Sequence, residues 1–360
     1  MIAAVALALA LLAPGALPPA ETPAPTAPGA TAPATPAPVT PAPGATAPAA
    51  PAPGVTAPAP GTTAEPTPAA PAPSPTRDPR LRGTMPVYVR AGVSPANGSI
   101  VGVGYPLSVR FSAPVTDRRA AQESVSVTTS RPLPRGGVWS WVDDRTMILR
   151  PRGDYWPGNT EITVRVGLRG TYLGSAGRGR SYVGTTRQTV RYSTARRFIA
   201  VIDDKDLVMR VRVGGKEVKR IPVSLGKAGF ITRSGVKVVH EKYEVKRMTS
   251  AGMNLPPEEE YDVMSPFALR LTPTGEFIHG APWAVYRLGR WNGSHGCTNL
   301  SVADAQWMYE RAITGDVVET YGTSEQMEPW NGLGGSWNVP WSTWRSRSYG
   351  ETRLNTLIPT

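Results

Sequence analysis

The chain has 360 residues, with 39 Lys and Arg against 27 Asp and Glu, three histidines and one cysteine. One cysteine excludes an internal disulfide, a cysteine-rich zinc module and an iron–sulfur site, and three histidines exclude a His-rich metal centre. The formal charge of +12 favours anionic neighbours, but the basic residues are scattered and no block of five or six occurs, so a nucleic-acid arm is set aside in favour of a soluble basic surface.

Residues 1–20 read MIAAVALALALLAPGALPPA, with an apolar run from Ala3 to Leu12 followed by small residues and proline. The run is shorter than the roughly 20 residues a bilayer span requires. It fits the apolar core of a secretory signal, although no Lys or Arg precedes it. Export from the cytoplasm is the expectation, with the membrane met only in passing. More than half of the 39 prolines precede residue 77, where Glu21 and Glu65 are the only charges. Residues 21–80, rich in Ala, Pro and Thr, cannot bury enough apolar surface to offset their ordering entropy and read as a disordered linker.

Residues 84–196 read as all-β. Apolar alternation recurs at 105–111, 124–130, 138–142, 146–150, 160–168 and 187–193, separated by Asp143-Asp144, Pro157-Gly158 and the Gly-rich 174–184. Short strands at this spacing predict an immunoglobulin-like β-sandwich without a disulfide. Trp139 and Trp141 could form a sugar-binding pair, but aromatics alternating on a strand are more often core and rim.

Residues 197–322 predict a second, mainly-β unit with one or two helices. Strands at 198–203 and 207–213 flank a tight turn, and Gly214-Gly215 makes a hairpin into 216–224. All seven lysines lie between 205 and 246. Residues 243–265, with Pro256-Pro257 and the acidic run Glu258–Glu260, show no period and read as a long loop of the kind that often serves as a lid. A helix starts after Leu300, with Ser301 as N-cap and Gly315 as its end, and a strand follows at 316–321. Residues 323–360 carry Trp330, Trp337, Trp341 and Trp344 and predict an extension packed on this second unit.

The chemistry gathers around Cys297. It lies in Asn292-Gly293-Ser294-His295-Gly296-Cys297-Thr298-Asn299, and His279 and His295 precede it within 18 residues. A lone thiol in an exported chain is a candidate nucleophile. It is mostly protonated at neutral pH and needs a base or a nearby cation. His279, at the end of a strand, is the natural partner; His295 could bind substrate or tune the thiol. Gly293 and Gly296 let the backbone turn and leave amides facing a ligand. The competing readings are a buried structural cysteine and a zinc site from His279, His295 and Cys297, an unusual ligand set without supporting signature.

His279-Gly280-Ala281-Pro282-Trp283, a gap, then Ser294 to Asn299 and a capped helix resembles the L,D-transpeptidases with a YkuD-type catalytic domain, most closely the actinobacterial branch. The segments Ser112–Asp117 and Ser126–Ser130 resemble the immunoglobulin-like module that precedes the catalytic domain there, and Trp337–Trp341 resembles its C-terminal extension. The resemblance implies that Cys297 attacks a peptidoglycan tetrapeptide stem, releases D-Ala and passes the acyl group to a second stem as a 3→3 cross-link. It implies His279 as general base, oriented by the main-chain carbonyl of Gly280. His295, Gly296 and the Cys297 amide would shape the site and oxyanion hole. Tyr261 on the lid, Trp283, Ser294 and Asn299 would bind substrate or hold the loop. The resemblance further implies carbapenem-type β-lactams as inhibitors, no metal or cofactor, no nucleic-acid partner, and a location in the cell wall or periplasmic space. Two other readings stand beside it: an L,D-carboxypeptidase using water, and a non-catalytic wall-binding protein. Sortase-like enzymes need an Arg soon after the thiol, and papain-like peptidases place Cys before His; neither order is present.

Overall fold

The computed structural model describes residues 78–356. The expected signal segment, 1–20, and almost all of the expected linker, 21–80, lie outside the described residues.

The first folded part contains β1 (Met85–Val89), β2 (Ala91–Ser94), β3 (Ile100–Val101), β4 (Leu107–Phe111), α1 (Arg118–Glu123), β5 (Val125–Thr129), β6 (Gly137–Trp141), β7 (Thr146–Pro151), β8 (Glu161–Gly167), β9 (Tyr172–Gly177), β10 (Arg180–Gly184) and β11 (Arg187–Thr194). One sheet runs β2-β4-β7-β6; the facing sheet includes β5-β8-β11-β3. Alternation explains it: in β8, Ile162, Val164 and Val166 face inward while Glu161 and Arg165 face out. Trp139 and Trp141 are both buried, with Trp141 stacked on Phe111 at 5.5 Å, so they are core and no sugar-binding pair exists there. The Gly-rich 174–184 was expected as a turn. It is instead the β9–β10 hairpin, and β10 also pairs in parallel with β1. Glycine hides a strand's alternation because it has no side chain to show which face is in.

The second part contains β12 (Phe198–Asp203), β13 (Val208–Val213), β14 (Lys216–Pro222), β15 (Gly235–Val238), β16 (Glu241–Thr249), β17 (Asp262–Arg270), β18 (Phe277–Gly280), β19 (Thr298–Leu300), α2 (Val302–Arg311) and β20 (Val317–Tyr321). Its sheets run β14-β13-β12-β20-β15 and β16-β17-β18-β19. The core between them includes Ile202, Val211, Leu269, Ile278, Leu300 and Met308. Ser301 caps α2, its hydroxyl accepting from the Asp304 amide at 3.1 Å, but the helix stops at Ala312 rather than at Gly315. The segment 243–265, expected as one long loop, is mostly a hairpin: β16 and β17 pair over their length, and 250–261 connects them. β16 buries none of its residues and β17 only Ser265, Ala268 and Leu269, so no hydrophobic alternation announced them. The cross-strand ladder carries them instead.

The C-terminal extension differs from expectation. It packs on the sandwich as well as on the second part. The Trp344 indole donates to the Val138 carbonyl at 2.9 Å and the Trp337 indole to that of Gly104 at 2.7 Å. β21 (Arg353–Thr356) adds in parallel to β5. On the other side, the Asn338 side chain both accepts from and donates to the Val236 backbone, at 2.7 and 2.8 Å. A buried indole N–H usually finds an acceptor, and the carbonyls that Trp337 and Trp344 reach both belong to the sandwich.

Candidate active site

β18 and β19 are parallel neighbours, with His279 opposite Asn299. Cys297 sits immediately before β19. The register therefore sets the strand that holds His279 beside the strand that follows Cys297, although the two residues lie 18 apart in sequence. Gly296, at φ +107°, adopts a backbone angle closed to most side chains, so the turn that presents Cys297 requires glycine.

The loop before the thiol is tied at several points. The Ser294 hydroxyl donates to the Cys297 carbonyl at 2.5 Å and accepts from the Gly296 amide at 3.1 Å. The Thr232 hydroxyl donates to the Gly296 carbonyl at 2.9 Å. Asn292 accepts from the Leu225 amide at 2.8 Å and donates to Asp204 at 2.6 Å. Asn299 is buried, and its backbone exchanges hydrogen bonds with Ser224 at 2.9 and 3.2 Å. Ser294 and Asn299 thus hold the loop from within. Thr232, Asn292 and Asp204 share that task and carried no sequence signal beyond being polar.

His279 is 4% exposed. Its Nδ1 lies 3.0 Å from the Gly280 carbonyl, which makes Nδ1 the donor and leaves Nε2 as an acceptor. Burial holds the imidazole below the usual histidine range, with the Gly280 carbonyl opposing, so the ring is neutral at neutral pH. A Cβ at Gly280 would meet Pro266 at 3.0 Å, so this position tolerates little bulk.

The Cys297 residue keeps some accessible surface, but its sulfur points inward. The thiol donates to the Gly275 carbonyl at 3.5 Å rather than to the His279 ring. Burial pushes it up to about 12; the Phe277 amide pulls it down, Glu276 raises it and Lys237 lowers it. The resting site is therefore a neutral thiol beside a neutral imidazole. Catalytic hydrogen bonds often tighten only when substrate binds. The Gly296 amide is spent on Ser294, while the Cys297 amide has no partner among the described residues.

His295 does not face the thiol as a base would. Its Nε2 lies 2.8 Å from Glu259, and its ring packs between Phe230 at 4.5 Å and Tyr261 at 4.9 Å. Glu259 also pairs with Lys227. This ties the β16–β17 connection down onto the loop before Cys297. Lys227 and then His295 hold the Glu259 carboxyl below its ordinary range. The Tyr261 hydroxyl reaches the Met253 sulfur at 3.9 Å. Trp283 is 43% exposed, its ring 6.1 Å from that of His279. Among the described residues, no three His, Cys, Asp or Glu side chains converge as metal ligands.

Comparisons with known proteins converge on one family. A family model for the L,D-transpeptidase catalytic domain matches residues 197–320, and one for a bacterial Ig domain matches 84–172. L,D-transpeptidase 2 of Mycobacterium tuberculosis is 35% identical over 257 residues, 71% of this chain; the match spans 61% of that relative's length. L,D-transpeptidase 1 of the same species is 32% identical over 64% of this chain and 84% of its own. A solved structure of the L,D-transpeptidase LdtMt1 in complex with imipenem superposes with a TM-score of 0.53 at 31% identity, covering 64% of this chain and 97% of that one.

Proposed function

Because the chain belongs to the L,D-transpeptidase family, we propose that it is a peptidoglycan L,D-transpeptidase that forms 3→3 cross-links with Cys297 as nucleophile. The carrying observation is the β18–β19 register, which sets the strand holding the neutral His279 beside the strand that follows Cys297.

The donor is a tetrapeptide stem. Cys297 Sγ attacks the carbonyl between its third residue and D-Ala while His279 Nε2 takes the thiol proton. Because the thiol resists ionisation in the resting site, proton transfer accompanies attack rather than preceding it. The Cys297 amide stabilises the tetrahedral oxyanion, a contribution of about 3–4 kcal/mol for one such donor. The C–N bond breaks, His279 returns the proton to the leaving D-Ala amine, and a thioester remains. An amine of a second stem then attacks the thioester, His279 accepts its proton, and the thiol is restored. With water as acceptor the same site acts as an L,D-carboxypeptidase.

Tyr261, His295 and Trp283 would contact the stem. By likeness to the imipenem complex, a carbapenem would acylate Cys297. Peptidoglycan as substrate places the enzyme outside the cytoplasmic membrane, where the basic surface suits an anionic wall.

The test is intact-mass analysis of the wild type and Cys297→Ala with a disaccharide-tetrapeptide. The expected result is a thioacyl adduct, D-Ala release and a cross-linked dimer for the wild type alone. A dimer formed by Cys297→Ala would end the mechanism, and a folded wild type giving neither adduct nor D-Ala would favour a wall-binding role.

A further inference from the structure

Behind the sulfur lies a charged cluster to which none of these roles assigns a purpose. The Lys237 side chain, on β15, is completely buried. Its ammonium lies 3.0 Å from Glu276 and donates to the Arg233 carbonyl at 2.5 Å and towards Thr320 at 3.4 Å. Glu276 is also buried. Its other oxygen accepts from the Arg233 amide at 3.1 Å and the Arg233 guanidinium at 2.9 Å, and Arg233 reaches out to Glu328 at 2.5 Å. Glu276 and Lys237 meet in distance but not in hydrogen-bond alignment. The contact is one of charge more than of direction.

The cluster's place in the chain links it to Cys297. Glu276 stands between Gly275, whose carbonyl accepts the thiol, and Phe277, whose amide faces the sulfur. The Glu276 amide is itself held by the Thr272 hydroxyl at 3.0 Å. The Arg233 and Lys237 contacts therefore anchor the three residues that cradle the sulfur. A buried lysine costs several kcal/mol of desolvation unless it is paired, and an apolar pair of similar volume would often be as stable. Stability alone gives no reason for ions at this place.

We propose that Lys237 and Glu276 are positioning residues for Cys297: together they hold the Gly275–Phe277 backbone against the sulfur, and their opposed charges set how readily the thiolate forms. The inference rests on Cys297 being the nucleophile. Tyr261 from the hairpin connection also bears on the sulfur; His279 lies on the neighbouring β18, His295 is tied to Glu259, and Arg233 acts through Glu276. Burial holds the lysine below its ordinary range and Glu276 opposes that. Removing Lys237 leaves Glu276, still paired with Arg233, near the sulfur without the lysine's charge. Removing the Glu276 charge relieves the sulfur of its nearest anion.

The full chain has one cysteine, so alkylation by iodoacetamide reads Cys297 alone and needs no turnover. At a fixed pH between 8 and 10, Lys237→Met should slow alkylation by about 3–10-fold, and Glu276→Gln should speed it by a similar factor. The double variant should fall between them, and each pH–rate profile should be displaced accordingly. A pair that only supports the fold would move both single variants in the same direction or neither; that result, with circular dichroism showing folded protein, overturns the proposal. If Lys237→Met does not fold, Glu276→Gln decides: faster alkylation supports the proposal, and unchanged or slower alkylation ends it. Because alkylation is independent of the stem peptide, failure here and failure of the transpeptidase assay are separate outcomes.

Discussion

The sandwich and the catalytic part are both built from short alternating strands, but they bury charge for different ends. The sandwich buries one strong cation, Arg150. It donates to the carbonyls of Ser336 and Val339 at 2.7 and 2.9 Å, and its guanidinium lies over the rings of Trp337, Trp341 and Trp344. Burial pushes it down to about 10, so it stays charged. Its partners are neutral dipoles and aromatic faces, and what it fastens is the C-terminal extension. The catalytic part buries Lys237 and Glu276, which pair with each other near the thiol, as well as His279 and Asp316, the last facing Arg196. A buried cation on carbonyls acts as a clasp; buried groups of opposite sign next to a nucleophile change its chemistry.

Three changes would break or sharpen that contrast, from largest effect to smallest. Arg150→Met should destabilise the chain by about 3 kcal/mol, because two buried carbonyls lose their donor and three indoles lose a cation. Chemical denaturation reads the loss, and Cys297 alkylation should be unchanged while the protein is folded. A slowed alkylation would mean that the clasp also serves the site.

Asp316 tests the other side. Its side chain is completely buried, and burial raises its carboxyl from 3.8 to about 7, with Arg196 at 3.8 Å and Lys242 only partly compensating. A carboxyl raised on folding leaves stability intact below its unfolded pKa and reduces it as pH climbs through the folded one. Stability should therefore fall between about pH 4 and pH 7. Asp316→Asn should flatten that fall and stabilise the protein by about 2 kcal/mol at pH 8. An unchanged pH profile in thermal unfolding would show that Arg196 keeps the group ionised.

Glu259→Gln should leave global stability unchanged, because the ion pair with Lys227 is partly exposed and such pairs contribute little. Its effect should appear in KM, raised about two- to fivefold as the hairpin connection loosens over His295. The carboxyl is held below its ordinary range, so the latch is fully present above that range and weakens as pH falls through the lowered value. A kcat change with KM fixed would instead place Glu259 in the chemical step.

Much of this was readable from residue order alone. The six strands that alternate cleanly between 105 and 193 lie where the pattern put them, because a half-buried strand must show period two. The Cys297 loop was legible through its single cysteine, the flanking histidines and the glycine at positive φ. The β16–β17 hairpin was not, since β16 buries no residue and the three that β17 buries do not alternate. Glu259 was visible only as one of three adjacent glutamates. The crowding of lysines between 205 and 246 had no explanation in sequence; two of them, Lys227 and Lys237, turn out to serve the latch and the sulfur cluster.

The sequence by itself determined the family, the two β parts and the identity of the thiol, because these rest on local alternation and on a contiguous motif. Only the tertiary structure decided that the C-terminal tryptophans clasp the sandwich, that His295 binds the hairpin rather than the thiol, and that Lys237 and Glu276 meet behind Cys297. Those contacts join residues 36 to 233 positions apart. They depend on which buried polar group lies nearest to which partner, and that is set by sheet order and packing.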